Sequence, residues 1–145
     1  AVDAWSTWGS YVGIAVLENG DQVLADASGM PTGVGFFAAS DPAIMTKREI
    51  LSDFLARLNQ ARHWALAHPD AYAQTLAKET GLPLKVARFS ISAYLGTAQP
   101  INAALIDEQA QIFARYKRAN IIPTLPDIRA GYDPSFNDRV FARHD

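Results

Sequence analysis

The residue types and spacing that could do chemistry are concentrated at the start of the chain. Asp3 is followed by tryptophans at Trp5 and Trp8, then by Gly9, Ser10 and Tyr11. Trp5, Trp8, Val12 and Val16 fall at helical spacing, so the stretch predicts strand, tight turn and helix. Asp3 stands where an N-cap is expected, with its carboxylate accepting from the amides of the first turn. A helix mouth at a strand end is where open α/β sheets take small ligands. Its exposed amides favour an anion. A tryptophan pair at i, i+3 fits a core as well as a ligand wall. Core residues at a mouth need not be aromatic, which brings the two readings into balance. Asp3 can be a plain cap and still shape the mouth it closes.

The rest of the sequence offers little competing chemistry. There is no G-x-S-x-G elbow and no G-x-x-x-x-G-K-[ST] loop. Gly33-Val34-Gly35 lacks the third glycine of a dinucleotide loop. Cysteine is absent, which removes disulfides, thiolate catalysis and cysteine-based zinc sites from consideration. His63 and His68 are too far out of phase on a helix to share a metal, and they read as surface histidines. Asp107 and Glu108 are adjacent and point apart, so they read as a solvated face rather than an acid/base pair. No catalytic residue, metal ligand or cofactor is assigned.

The 145 residues suffice for one domain with a sizeable core, and 49% of them are hydrophobic. A net charge of −2, with Lys and Arg scattered, gives no basic field for nucleic acid. No apolar run approaches the ~20 residues that span a bilayer.

The elements that must position the mouth follow in order. A first helix is expected over about 4–17, weakened by Gly9 and Gly13 and closed near Gly20. Short strands are expected at Gln22 to Ala25 and at Val34 to Ala39, joined by a loop carrying Gly29, Pro31 and Gly33. From Ser40 onward helix follows helix. Thr46 to Glu49 matches a capping box. Behind it Ile50, Phe54, Leu58, Ala61 and Ala65 form one apolar stripe. His68-Pro69 stops that helix, and Asp70 caps a helix closing at Gly81. Pro83 opens another, and Asn102 caps a long one ending near Asn120. A loop and one frayed helix around Phe136 to Phe141 finish the chain.

Two or three strands against five or six helices make a lopsided count, because two covered strands cannot form a stable sheet alone. The missing strands must come from upstream chain or from a partner copy, that is, by self-association of a fragment. A chain that opens at Ala1, inside an expected strand and without an initiator Met, is expected to be a processed product or a fragment.

The residues taken together resemble a known family. Val2-Asp3-Ala4-Trp5-Ser6-Thr7-Trp8 resembles the V-D-A-W-x-x-W stretch of aliphatic sulfonate-binding proteins, the solute receptors of ABC importers. The likeness continues in order through Val23-Leu24-Ala25-Asp26, then Gly35-Phe36-Phe37-Ala38-Ala39-Ser40. It goes on through Pro100-Ile101-Asn102 with Glu108-Gln109, and Ile122-Pro123 with Asp127-Ile128-Arg129. The family usually follows its second tryptophan with an acid and a proline, where this chain has Gly9 and Ser10.

The resemblance implies an α/β fold of the periplasmic-binding-protein type II class, this chain being the helix-rich C-terminal portion of a two-lobed receptor. Residues 1–33 would belong to the second lobe. Residues 34–145 would form a crossover strand and helices returning to the first lobe. It implies an alkanesulfonate-like anion held between the lobes, with Asp3 shaping the mouth, Trp5 and Trp8 as walls and Ser6 as a donor. It implies a membrane permease as partner, and a location in the periplasm or lipid-anchored outside the cytoplasmic membrane. Rival readings are receptors for taurine, nitrate or a thiamine-precursor pyrimidine. A sulfinate desulfinase-like enzyme on the same fold is another, although that chemistry relies on a cysteine. An all-helical interaction domain without a small ligand is the last.

Overall fold

A computed structural model describes residues 2–26 and 34–141. It holds seven α-helices among the described residues: α1 (Ser10–Leu17), α2 (Asp41–Thr46), α3 (Arg48–Ala67), α4 (Pro69–Thr80), α5 (Leu84–Tyr94), α6 (Ala103–Arg118) and α7 (Asn137–Val140). The chain divides into two compact units. The first comprises the described residues of 1–40 and 61–97, and the second those of 41–60 and 98–145.

In the first unit α4 and α5 form an antiparallel pair turned by Gly81, Leu82 and Pro83. Gly81 has φ 74°, the left-handed conformation that ends a helix at little cost for glycine. The interface is built from small residues. Ala73, Ala87 and Ile91 are buried, with Tyr72, Leu76, Ala77 and Leu95 packed around them. Short side chains let the helix backbones approach closely. α1 uses the same device against α5. A Cβ added at Gly13 would lie 2.9 Å from Phe89 Cδ1 and 3.2 Å from Val86 Cγ1. Lys85 fastens the far end of α1, donating to Leu17 O at 2.9 Å and pairing with Glu18 at 3.3 Å. A cation at a helix C-terminus also suits the helix dipole.

The second unit is held by side chains that bond to backbone. The Asn102 carboxamide oxygen accepts from Leu105 N at 2.9 Å, capping α6 as the sequence predicts. Asn137 pairs with both backbone groups of Ile101, accepting from its N–H at 3.1 Å and donating to its carbonyl at 2.7 Å. Asn59 donates to Val140 O at 3.0 Å. Leu105, Ile106 and Gln109 on α6 are buried. Arg48 lies over the Phe136 ring, 4.4 Å from its centroid, donates to Ser135 and pairs with Asp133 at 3.5 Å. Arg139 pairs with Glu49 at 3.0 Å, and Arg129 pairs with Asp107.

Several expectations need correction. The first helix starts at Ser10, not at residue 4, and Asp3 does not cap it. Gly9 stands at its N-cap with φ 61° and ψ −138°, which no helix admits, so the helix cannot extend upstream. Residues 22–26 and 34–40 have no regular secondary structure, and no strand occurs among the described residues. A segment becomes a strand only when another strand edge pairs with its N–H and C=O groups, and no such ladder is formed among the described residues. Most of the intervening loop, residues 27–33 with Gly29, Pro31 and Gly33, lies outside the described residues.

The capping box does not form. Thr46 ends α2, where its hydroxyl donates to Pro42 O at 2.7 Å, and Glu49 is drawn to Arg139 instead. His68, not Asp70, is the N-cap of α4, because Pro69 is pre-set for the first helical position. Asp70 pairs with Arg88 at 3.0 Å. On α3 the expected stripe is only partly covered: Ala65 is buried, while Ile50, Phe54 and Ala61 are exposed. The last expected helix, around Phe136 to Phe141, is present as the short α7, and the expected loop before it carries 3-10 turns at Arg129–Gly131 and Pro134–Phe136.

Two predictions follow from the packing and the charges. Gly13→Val forces a branched side chain into the α1–α5 contact. Overpacking of this kind costs about 1–3 kcal/mol, so the urea midpoint should fall with the m-value unchanged. An unshifted midpoint would mean that α1 does not rest on α5. The second concerns acid. The Ser135 hydroxyl, helped by the Ser135 amide and Arg48, holds the Asp133 carboxyl below the ordinary carboxylate range against the opposing effect of burial. A carboxyl depressed in the folded state stabilises above its unfolded pKa, and that stability is lost as pH falls through the folded value. Asp133→Asn should therefore flatten the acid limb of the stability–pH curve at and below the ordinary carboxylate range.

Candidate functional site

Residues 2–8 precede α1 in an irregular, non-helical passage, with a bend at Asp3 and a turn at Gly9 leading into the helix. The helix begins where glycine permits the backbone to change direction. Its first turn closes with Val12 N–H donating to Gly9 O at 3.2 Å. The amides of Ser10 and Tyr11 have no acceptor among the described residues. A small cluster of free N–H groups is thus present at the mouth of α1, as the sequence predicts, but it sits after Gly9 and not after Asp3.

Of the expected site residues, the structure brings Trp5 to Tyr11. Their rings meet edge to face, 6.5 Å between centroids and 70° between planes. Trp5 remains 58% exposed and Trp8 75% exposed. Asp3 and Ser6 are also exposed and make no hydrogen bond or ion pair among the described residues. Asp3, Ser6 and Trp8 are therefore associated only as neighbours along one short segment. Neither tryptophan is buried by the described residues.

Two aromatic residues join this account. Tyr11 is exposed and supports Trp5; the signal was its place directly after the turn. Phe37, in the expected strand from Val34 to Ala39, is 68% exposed. The stretch from Val2 to Val12 contains no Lys or Arg. Any anion held there would be met by amides and by the hydroxyls of Ser6, Thr7 and Ser10. Rings with polar donors and no reactive nucleophile suit non-covalent capture of a small molecule with an apolar body.

His63 and His68 offer no rival site among the described residues. His68 stacks on Trp64, 5.1 Å between centroids and 19° between planes, with Nδ1 2.9 Å from Trp64 O. This i, i+4 pair on one helix face was readable from spacing alone. Among the described residues no group of His, Asp and Glu is placed to hold a metal ion. Asp107, expected on a solvated face, is exposed and pairs with Arg129.

No profile of a known protein family matches the chain, and no solved structure matches it. Among curated proteins it is similar to one from Escherichia coli (strain K12) named "putative aliphatic sulfonates-binding protein". The two are 29% identical over 133 residues, which cover 88% of this chain and 40% of the relative. The chain thus spans two fifths of that relative's length. The resemblance read from the motifs of residues 2–8 and beyond is matched by this similarity along most of the chain.

The exposure of the two rings makes a direct prediction. In variants that keep one tryptophan each, acrylamide should quench Trp8 more strongly than Trp5, because Tyr11 covers one edge of Trp5. Equal, weak quenching of both would place them in a core.

Proposed function

We propose that the chain is part of the solute-binding receptor of an ABC importer, and that it takes an aliphatic sulfonate or related small anion. The observation that carries this reading is the similarity to the E. coli sulfonates-binding protein over 88% of the chain. The uncovered Trp5, Trp8 and Tyr11 rings beside free amides support it. Trp5 and Trp8 are the walls against which the alkyl part of the ligand lies. The sulfonate head is held by the α1 amides and by Ser6. Asp3 shapes the entrance.

In this reading the receptor has the two-lobed type II fold. Residues 1–33 belong to its second lobe, and residues 34–145 cross over and return to the first. Residues 22–26 and 34–39 become strands once sheet edges from the remaining length of the receptor are supplied. The ligand is buried by closure of the lobes, and the closed form is what the permease recognises, outside the cytoplasmic membrane. No covalent step is involved. Among the described residues no helix is long and apolar enough to cross a membrane, which fits a receptor that works beside its permease.

A thermal-shift panel tests this on the chain and on a form extended to the length of the relative. The ligands are alkanesulfonates, taurine, nitrate and a pyrimidine. A ligand present at about one hundred times its dissociation constant adds about 2.7 kcal/mol of stability, a shift of several degrees. Alkanesulfonates should shift the extended form and nitrate should not. Trp8→Ala should weaken that shift, since truncating a central aromatic anchor costs about 2 kcal/mol or more of binding. A response to nitrate or the pyrimidine alone, or to nothing, overturns the sulfonate reading.

A further inference from the structure

We propose that Asn19 is a site of spontaneous covalent modification, in which its side-chain amide cyclises onto the backbone of Gly20 and is lost as ammonia. Asn19-Gly20 follows α1 in an exposed turn and is the sole asparagine–glycine pair in the sequence. The reaction needs three things: a mobile carboxamide, an amide nitrogen free to attack it, and room for a five-membered ring. The structure supplies all three.

The Asn19 side chain makes no hydrogen bond among the described residues. The backbone N–H groups on either side of Gly20 are engaged, Asn19 donating to Ile14 O at 3.3 Å and Asp21 to Ala15 O at 3.0 Å. The Gly20 N–H between them has no acceptor among the described residues. Gly20 has φ 76°, and nothing lies within 4 Å of the position a Cβ would take. The side of the Gly20 backbone where a Cβ would stand is therefore open.

The other four asparagines are the contrast. Asn59, Asn102 and Asn137 have carboxamides fastened to Val140, Leu105 and Ile101 respectively. Asn120 is exposed, but the amide that would attack it, Ile121 N–H, is committed to Tyr116 O at 2.9 Å.

The chemistry balances without a cofactor. The Gly20 nitrogen gives its proton to solvent base and bonds to Asn19 Cγ. The C–N bond to the side-chain nitrogen then breaks, and ammonia leaves with a proton from solvent. One water opens the resulting succinimide at either carbonyl, leaving aspartate or isoaspartate. A negative charge is thereby created just past the C-terminus of α1, where the helix dipole disfavours it. It lies next to Glu18 in sequence and competes for the Lys85 ion pair that fastens this end of the helix. The isoaspartate product also adds a methylene to the main chain between the anchored amides of Asn19 and Asp21.

The test is peptide mapping by mass spectrometry of the full chain after storage in warm, mildly alkaline buffer, with aspartate and isoaspartate resolved chromatographically. Asn19 should convert severalfold faster than Asn59, Asn102, Asn120 or Asn137. Its rate in the folded chain should stay within severalfold of its rate in urea. Gly20→Ala should slow conversion severalfold. Asn19→Gln, which needs no strained backbone, should remove the product altogether. Protection of Asn19 in the folded chain, or a rate no faster than the other asparagines, would overturn the proposal.

Discussion

The approach of α1 to α5 at Gly13 is the constraint on which the first unit depends. With no Cβ at that position, the α1 backbone can lie against Phe89 and Val86. Any larger residue would push it away. Because α1 is held there, its N-terminal end has a defined place, and so do the free amides of Ser10 and Tyr11. Tyr11 in turn supports Trp5. A glycine that looks like a weakness in a helix is thus what allows the helix to dock, and the loss in helix propensity is offset by packing.

The second unit achieves the same end by different means. Its buried apolar set is small, centred on Leu105 and Ile106 of α6. Much of its cohesion comes from asparagine side chains acting as substitutes for backbone partners. Asn137 satisfies both the donor and the acceptor of Ile101, which no helix or strand would otherwise satisfy. The arginines Arg48, Arg129 and Arg139 add ion pairs that are largely exposed and individually weak. Arg48 is the exception in kind, since it combines an aromatic face, a hydroxyl and a carboxylate.

The candidate site is open in a way that the two units by themselves do not explain. Trp5, Trp8, Tyr11 and Phe37 are large rings left in contact with water, while Ala73, Val86 and Ala87 a short distance along the chain are fully buried. A protein that can bury its apolar side chains but leaves these uncovered has surfaces meant for something else. The proposed ligand and the remaining length of a receptor both account for that, and both draw on the same exposed rings.

Helix ends and helix partitioning were legible from local chemistry. Gly81 closes α4, Pro83 precedes α5 and Asn102 caps α6, because each acts through bonds within a few residues of itself. The similarity to a sulfonates-binding protein was legible from the order of short motifs. What local reading could not reach was every feature that needs a partner distant in the chain. Two segments with strand composition form no strand among the described residues, because a strand requires a second edge that composition does not supply. One local feature was missed as well: Asp3 reads as a cap, yet the positive φ of Gly9 moves the helix start beyond its reach. Glu49 reads as half of a capping box, yet Arg139, far along the chain, takes its carboxylate. The amino-acid sequence by itself determined which stretches are helical and what the first eight residues resemble. Only the tertiary structure decided that the tryptophans face water and that Gly13 is a contact, since burial is a property of the neighbours a residue meets and not of the residue.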